Sequence, residues 1–133
     1  MKRRTFIQSV STSAVSLGLP AIALGEGSAA NARKIFIWGG GTDKPILNYL
    51  IKLTGKSNPK VCFVPTATGD SLVSITNWYG MVEGLPLQPF VMRTFINSYT
   101  TKESFEETLM KMDAVLVGGG NTLNMMAIWK SQG

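Results

Sequence analysis

The sequence predicts an α/β fold, a parallel sheet with helices on both faces. Three observations predict it. Short apolar runs alternate with stretches of helical spacing from residue 34 onward, and such alternation builds right-handed βαβ units. The runs are apolar nearly throughout, as in strands buried on both sides. Two of them end in glycine triplets, Gly39-Gly40-Gly41 and Gly118-Gly119-Gly120, which suit sharp strand-to-helix turns.

Lys34-Ile35-Phe36-Ile37-Trp38 is the expected first strand, running into the first triplet. Thr42 or Asp43 can cap the helix that follows, and Pro45 suits its first turn because a missing N–H would be unpaired there. Ile46, Leu47, Leu50, Ile51 and Leu53 keep helical spacing, and Gly55 is the expected stop. Val61-Cys62-Phe63-Val64 is the second strand. A helix is expected over 71–82, capped by Asp70 or Ser71 and stopped near Gly84. The third strand falls within 87–95, where Pro89 shifts the paired part towards Phe90, Val91 and Met92. Thr100 with Glu103 fits a capping box, Phe105, Leu109 and Met112 form an apolar stripe, and Glu107 can pair with Lys111. Residues 113–117 make the fourth strand, and Leu123, Met126 and Ala127 begin a last helix.

Composition narrows the function. The chain has 133 residues, 44% of them apolar and 16% charged, enough apolar surface to build one ordered domain. It contains one cysteine and no histidine. This excludes an intrachain disulfide, a multi-cysteine zinc site and any Ser-His or Cys-His couple assembled from this chain alone. Cys62 lies mid-strand between Val61 and Phe63, a place for an inert core thiol.

Residues 1–32 have the layout of an export signal. Lys2, Arg3 and Arg4 precede an apolar run over 10–24, and Ala30-Asn31-Ala32 supplies a small-x-small cleavage pattern. The run of 15 residues is shorter than the roughly 20 needed to span a bilayer, so no stable membrane association is expected. Arg3-Arg4-Thr5-Phe6 resembles a twin-arginine motif, which implies a periplasmic location; an amphipathic N-terminus is the alternative and would leave the protein in the cytoplasm. Cleavage would remove three basic residues and Glu26, lowering the net charge from +5 to +3. No basic stripe interleaved with aromatics remains, so no nucleic-acid partner is expected.

In a parallel sheet the strand C-termini share one edge, where open α/β sheets hold ligands. Residues 39–43, 65–70 and 118–121 all arrive there. Glycine triplets in such turns expose consecutive N–H groups at a helix N-terminus, suited to a phosphate or to the oxyanion of acyl transfer. Tight turns alone would need the same glycines, and Asn121 alone reads as a helix N-cap.

The three segments together resemble a known family. Gly118-Gly119-Gly120-Asn121-Thr122 after an apolar strand, Val61-Cys62-Phe63-Val64-Pro65-Thr66-Ala67, and Phe36-Ile37-Trp38-Gly39-Gly40-Gly41 look like the corresponding segments of peptidase E, the aspartyl dipeptidase family of serine peptidases related to cyanophycinase. The resemblance covers essentially residues 34–133. It implies a fold like that of class I glutamine amidotransferases, a flavodoxin-like three-layer sandwich, and hydrolysis of small peptides with an N-terminal aspartate. Asn121 favours that branch over a cyanophycinase-like exopeptidase.

The resemblance further implies that the Gly120 backbone N–H belongs to the oxyanion hole, with Gly119 and Asn121 binding substrate and Gly40, Gly41, Thr66 and Thr68 forming the pocket wall. No cofactor or metal is implied; the partner is a small peptide, and a homo-oligomer is compatible with the fold. Gly120→Val is expected to abolish turnover with the fold largely intact. The family's Gly-x-Ser-Ala-Gly elbow and histidine follow the Gly-Gly-Gly-Asn helix, and no serine here sits in such a context. The chain is therefore expected to be inactive alone and to represent the N-terminal half of the enzyme. A non-catalytic anion- or nucleotide-binding module, or an inactive remnant, is the competing expectation.

Overall fold

The computed structural model describes residues 33–95 and 103–132. Their order is α1 (Lys44–Thr54), β1 (Lys60–Val64), a 3-10 turn (Thr66–Thr68), α2 (Leu72–Val82), β2 (Gln88–Val91), α3 (Phe105–Met110), β3 (Ala114–Val117) and α4 (Thr122–Gln132). The strands form one parallel sheet in the order β2-β1-β3, so the α/β architecture read from the sequence is the one observed. The expected export signal and the Thr100 cap lie outside the described residues.

Side chains alternate across a strand, and β1 uses both faces. Val61 and Phe63 pack with Leu47 and Ile51 of α1 and with Trp78 and Val82 of α2. Cys62 and Val64 pack on the other side with Met92, against Phe105 and Leu109 of α3 and Trp129 of α4. The central strand is thus covered by helices above and below, which is why its sequence is a continuous apolar run. Burying Val61, Val64 or Trp78 contributes about 1.5–3 kcal/mol each.

The helix ends follow local chemistry. Asp43 caps α1 by accepting the Ile46 N–H at 3.0 Å, and Gly55 closes it in the left-handed region at φ +71°. Helix α3 opens with a reciprocal box: the Ser104 hydroxyl accepts the Glu107 N–H, and the Glu107 carboxylate accepts the Ser104 N–H. Those bonds hold the Glu107 carboxyl below its ordinary range. The expected Glu107–Lys111 pair gives way to a Lys111–Glu103 ion pair at 2.8 Å, because Glu107 is turned back onto the helix N-terminus. Ser71 caps α2 without a side-chain bond, and Asp70 does not cap it either.

Two expectations about strands are corrected. Residues 34–38 form no strand among the described residues. They lie along α1, with Phe36 stacked on Trp38 and edge-on to Tyr49, and Lys34 Nζ donating to the Leu53 carbonyl at 2.8 Å. Phe36 and Trp38 are half-buried while Ile35 and Ile37 are 90% and 86% exposed. The extended alternation survives, but its aromatic face seats on a helix rather than in the sheet.

In β2, pairing begins at Gln88 and includes Pro89, earlier than expected. Gln88 N–H donates to Pro59 O and Met92 N–H to Phe63 O. Residues of even number therefore point their N–H groups at β1, and Pro89 turns its ring nitrogen to the open edge, where no donor is needed.

At the opposite end from the glycine turns, Asp113 bolts β3 to β1. Its N–H donates to Lys60 O, its Oδ2 accepts the Lys60 N–H at 2.8 Å, and its Oδ1 meets Lys56 Nζ at 2.6 Å. The Lys56 ammonium, then the Lys60 N–H, hold the Asp113 carboxyl below the usual range.

Candidate functional site

Strands β1 and β3 are neighbours, so the turns leaving their C-terminal ends meet. Gly118 N–H donates to Val64 O at 3.0 Å, and Asn121 N–H donates to Ala67 O at 2.8 Å. The 3-10 turn beneath is closed by Thr68 N–H to Pro65 O and Gly69 N–H to Thr66 O, both at 2.9 Å.

The three glycines of the second triplet are not equivalent. A Cβ at Gly120, where φ is +145°, would lie 2.4 Å from Ala67 O; one at Gly118 would lie 2.9 Å from the Phe63 ring; one at Gly119 would meet nothing within 4 Å. Close approach to the Ala67 backbone therefore demands glycine at 120, whereas at 118 a side chain would have to displace the Phe63 ring. It also changes the expectation for Gly120→Val: any side chain there collides with the Ala67 backbone, so the fold around the turn would shift along with any catalytic effect.

Gly119 and Gly120 are exposed, and among the described residues their N–H groups donate to nothing. Asn121 follows as the N-cap of α4, its Oδ1 accepting the Asn124 N–H and its carbonyl the Met125 N–H, both at 3.0 Å. Two unpaired N–H groups thus precede an 11-residue helix whose dipole favours negative charge at that end.

The predicted pocket-wall residues divide. Thr66 is buried, shares a hydroxyl–hydroxyl hydrogen bond with Thr94, and accepts the Trp129 indole N–H at 3.1 Å. Thr68 is exposed and donates its hydroxyl to Pro65 O at 2.9 Å. Gly40 and Gly41 are exposed, and a Cβ added at either would meet nothing within 4 Å. Among the described residues no hydrogen bond ties residues 39–41 to the other two turns. The structure hydrogen-bonds the turn at 118–121 onto Val64 and Ala67, and among the described residues no such bond includes the first triplet.

Thr94 and Trp129 escaped the sequence reading, and Asp70, expected as a helix cap, has a different role. Asp70 is buried in the left-handed region at φ +54° and accepts the Phe95 N–H at 2.6 Å, joining the loops that follow β1 and β2. Thr94 and Trp129 both bond Thr66 from 28 and 63 residues away. No local pattern announces contacts of that separation, although Gly69-Asp70 is a turn signal.

Among the described residues no cluster of three or more His, Cys, Asp or Glu could hold a metal, and no helix is long and apolar enough to cross a membrane. Cys62 is fully buried, and burial pushes its thiol up to about 11, which disqualifies it as a nucleophile at neutral pH.

A parallel α/β sheet whose neighbouring strands β1 and β3 send their turns to one edge, with helices on both faces, defines an open, flavodoxin-like α/β protein. The chain belongs to peptidase family S51, whose profile matches residues 35–133. It is 35% identical over 85 residues to an uncharacterized peptidase, YgaJ, of Bacillus subtilis (strain 168). That stretch is 64% of this chain and 36% of the relative, so the chain spans little more than a third of that protein's length. No solved structure matches.

Proposed function

We propose that this chain forms the oxyanion wall of a serine-type peptidase that cleaves small peptides beginning with aspartate. The observation that carries the reading is the turn at 118–121: it is held onto Ala67 and Val64 by its first and last N–H groups, leaving the middle two free to receive a carbonyl oxygen as it gains charge. Gly120 donates to the oxyanion, Gly119 supports it, and Asn121 fixes the turn. Such a donor is worth about 3–4 kcal/mol of transition-state stabilisation. Family membership supports peptide hydrolysis; the seryl nucleophile and its base would come from segments beyond the match to this chain. The basic, apolar and small-residue layout of residues 1–32 supports export to the periplasm by the twin-arginine route.

The test uses protein isolated from its native source, with dipeptides beginning with Asp, Glu, Ala or Lys and a fluorophosphonate that labels activated serines. Preferential cleavage of the Asp peptides, stopped by the label, is the expected result. Absence of hydrolysis and of labelling would refute the peptidase reading, and cleavage without Asp preference would refute the substrate.

A further inference from the structure

Helix α4 carries the glycine turn at its N-terminus, and two of its attachments end on one short turn. At the start of the helix, Asn121 N–H donates to Ala67 O. Eight residues on, about 12 Å along the axis, the Trp129 indole N–H donates to the hydroxyl of Thr66, the residue before Ala67. A helical side chain leans towards the N-terminus, which lets Trp129 reach back to that turn.

The far attachment is a buried polar unit rather than a surface bond. Thr66 and Thr94 are 1% and 3% exposed, and their hydroxyls bond each other. A hydroxyl has one proton and two lone pairs. Thr66 can therefore accept the indole N–H while still exchanging a hydrogen bond with Thr94. Gln132 adds a side-chain bond to the Thr94 carbonyl at 3.2 Å, and Trp129 also packs on the core side chains Cys62, Val64 and Met92. Few local contacts otherwise fix α4: Leu123 and Met126 on it are 84% and 43% exposed.

We propose that Thr66 and Trp129 are positioning residues for the oxyanion turn: their hydrogen bond locks the axial position of α4, and through it the convergence of the Gly119 and Gly120 N–H groups. This rests on the peptidase reading for its effect on rate, but not for its effect on the turn. Misplacing donors weakens the transition state more than the bound substrate, so the signature is a fall in kcat with KM nearly constant.

The experiment has two arms. In the first, the protein is expressed with its complete native reading frame as Trp129→Phe, Thr66→Val and Thr66→Ser, and kcat and KM are measured on an Asp-initiated dipeptide. Trp129→Phe and Thr66→Val are expected to lower kcat by about 10-fold or more with KM changed by less than about 2-fold, while Thr66→Ser, which restores the hydroxyl, recovers most of the rate. Unchanged kcat in stably folded variants, or a rise in KM alone, would overturn the proposal.

The second arm needs no activity. Amide exchange of the 133-residue chain is followed by NMR for wild type and Trp129→Phe. The Asn121 N–H is expected to exchange about 10-fold faster relative to the β1 amides. Equal acceleration throughout would show a purely structural bond and overturn the proposal even if the peptidase reading holds. A selective effect without any peptidase activity would leave the positioning role standing and the enzyme assignment refuted.

Discussion

Substituting alanine at each glycine of the second triplet should produce a graded series. Gly120 is the severe case. A Cβ there sits 2.4 Å from Ala67 O and 2.7 Å from its carbonyl carbon, whereas ordinary contacts begin near ~3.5 Å, so the two turns must part by about 1 Å. The Asn121 N–H to Ala67 O bond, now 2.8 Å, would stretch beyond hydrogen-bond range. Its loss is worth about 1 kcal/mol, and the backbone at φ +145° adds strain of order 1–3 kcal/mol for a residue with a side chain. The expected destabilisation is about 2–4 kcal/mol by these two contributions. At Gly118 the obstacle is the Phe63 ring edge at 2.9 Å, which is stacked on Trp78 with centroids 5.4 Å apart and can yield by tenths of an ångström; about 1 kcal/mol is expected. At Gly119 nothing lies within 4 Å, and the change should stay within about 0.5 kcal/mol. Urea unfolding followed by far-ultraviolet circular dichroism measures all three, provided the m-values agree. A Gly119→Ala variant as unstable as Gly120→Ala, or a neutral Gly120→Ala, would refute the packing argument.

Asn121→Asp keeps the N-cap acceptor and should leave stability within about 0.5 kcal/mol, whereas Asn121→Ala should cost about 1 kcal/mol. In the active enzyme the new carboxylate, one residue from the Gly120 donor, repels a developing oxyanion, so kcat should fall by about 10-fold or more in Asn121→Asp; equal rates would argue against an oxyanion at this turn. Asp113→Ala should lose about 0.5–1.5 kcal/mol at neutral pH through the lost hydrogen bond from the exposed Lys60 N–H. Because the folded pKa of Asp113 is depressed, its contribution is present above the ordinary carboxylate pKa and fades as pH falls below about 4; wild type and variant melting temperatures should converge there. Cys62 has a raised pKa of about 11, so its contribution is complete below about pH 8.5 and is lost as pH rises through the folded value. Iodoacetamide at about pH 8 should modify Cys62 only in denaturant, and rapid labelling of the native chain would contradict the burial.

What could be read in the sequence was what short-range chemistry decides. Asp43 and Gly55 bracket α1 as their types require, and the apolar run at 61–64 is the central strand because both of its faces are covered. The glycine turn at 118–121 was legible because close approach to Ala67 admits no side chain at Gly120. Misreadings arose where two partners competed for one pattern. Phe36 and Trp38 suit a strand and also suit the flank of α1, and spacing cannot choose between them. Glu107 could face Lys111 or its own helix start, and the unpaired Ser104 N–H decided the matter. Thr66 reads as a turn residue, yet its hydroxyl is committed to Thr94 and Trp129, partners brought near only by the folded sheet.

The location of the turn follows from the order in which the strands are laid down. The chain leaves β1 through α2 on one face of the sheet and reaches β2 at one edge. It then returns through α3 on the other face and passes β1 to place β3 on the opposite edge. Right-handed crossovers require this change of face when the direction of travel reverses. Consequently β1 sends its chain to one face and β3, its immediate neighbour, sends its chain through α4 to the other. Two adjacent strands whose exits diverge leave a crevice between them, the switch point at which open α/β sheets bind ligands. Here the exits of the two strands are joined by Gly118 N–H on Val64 O and Asn121 N–H on Ala67 O, so Gly119 and Gly120 lie between two hydrogen-bonded points of the turn. The first triplet sits at no such reversal: residues 34–38 lie on α1 outside the described sheet. Of the two glycine triplets, the second is the one that the order of the described strands places at such a switch point.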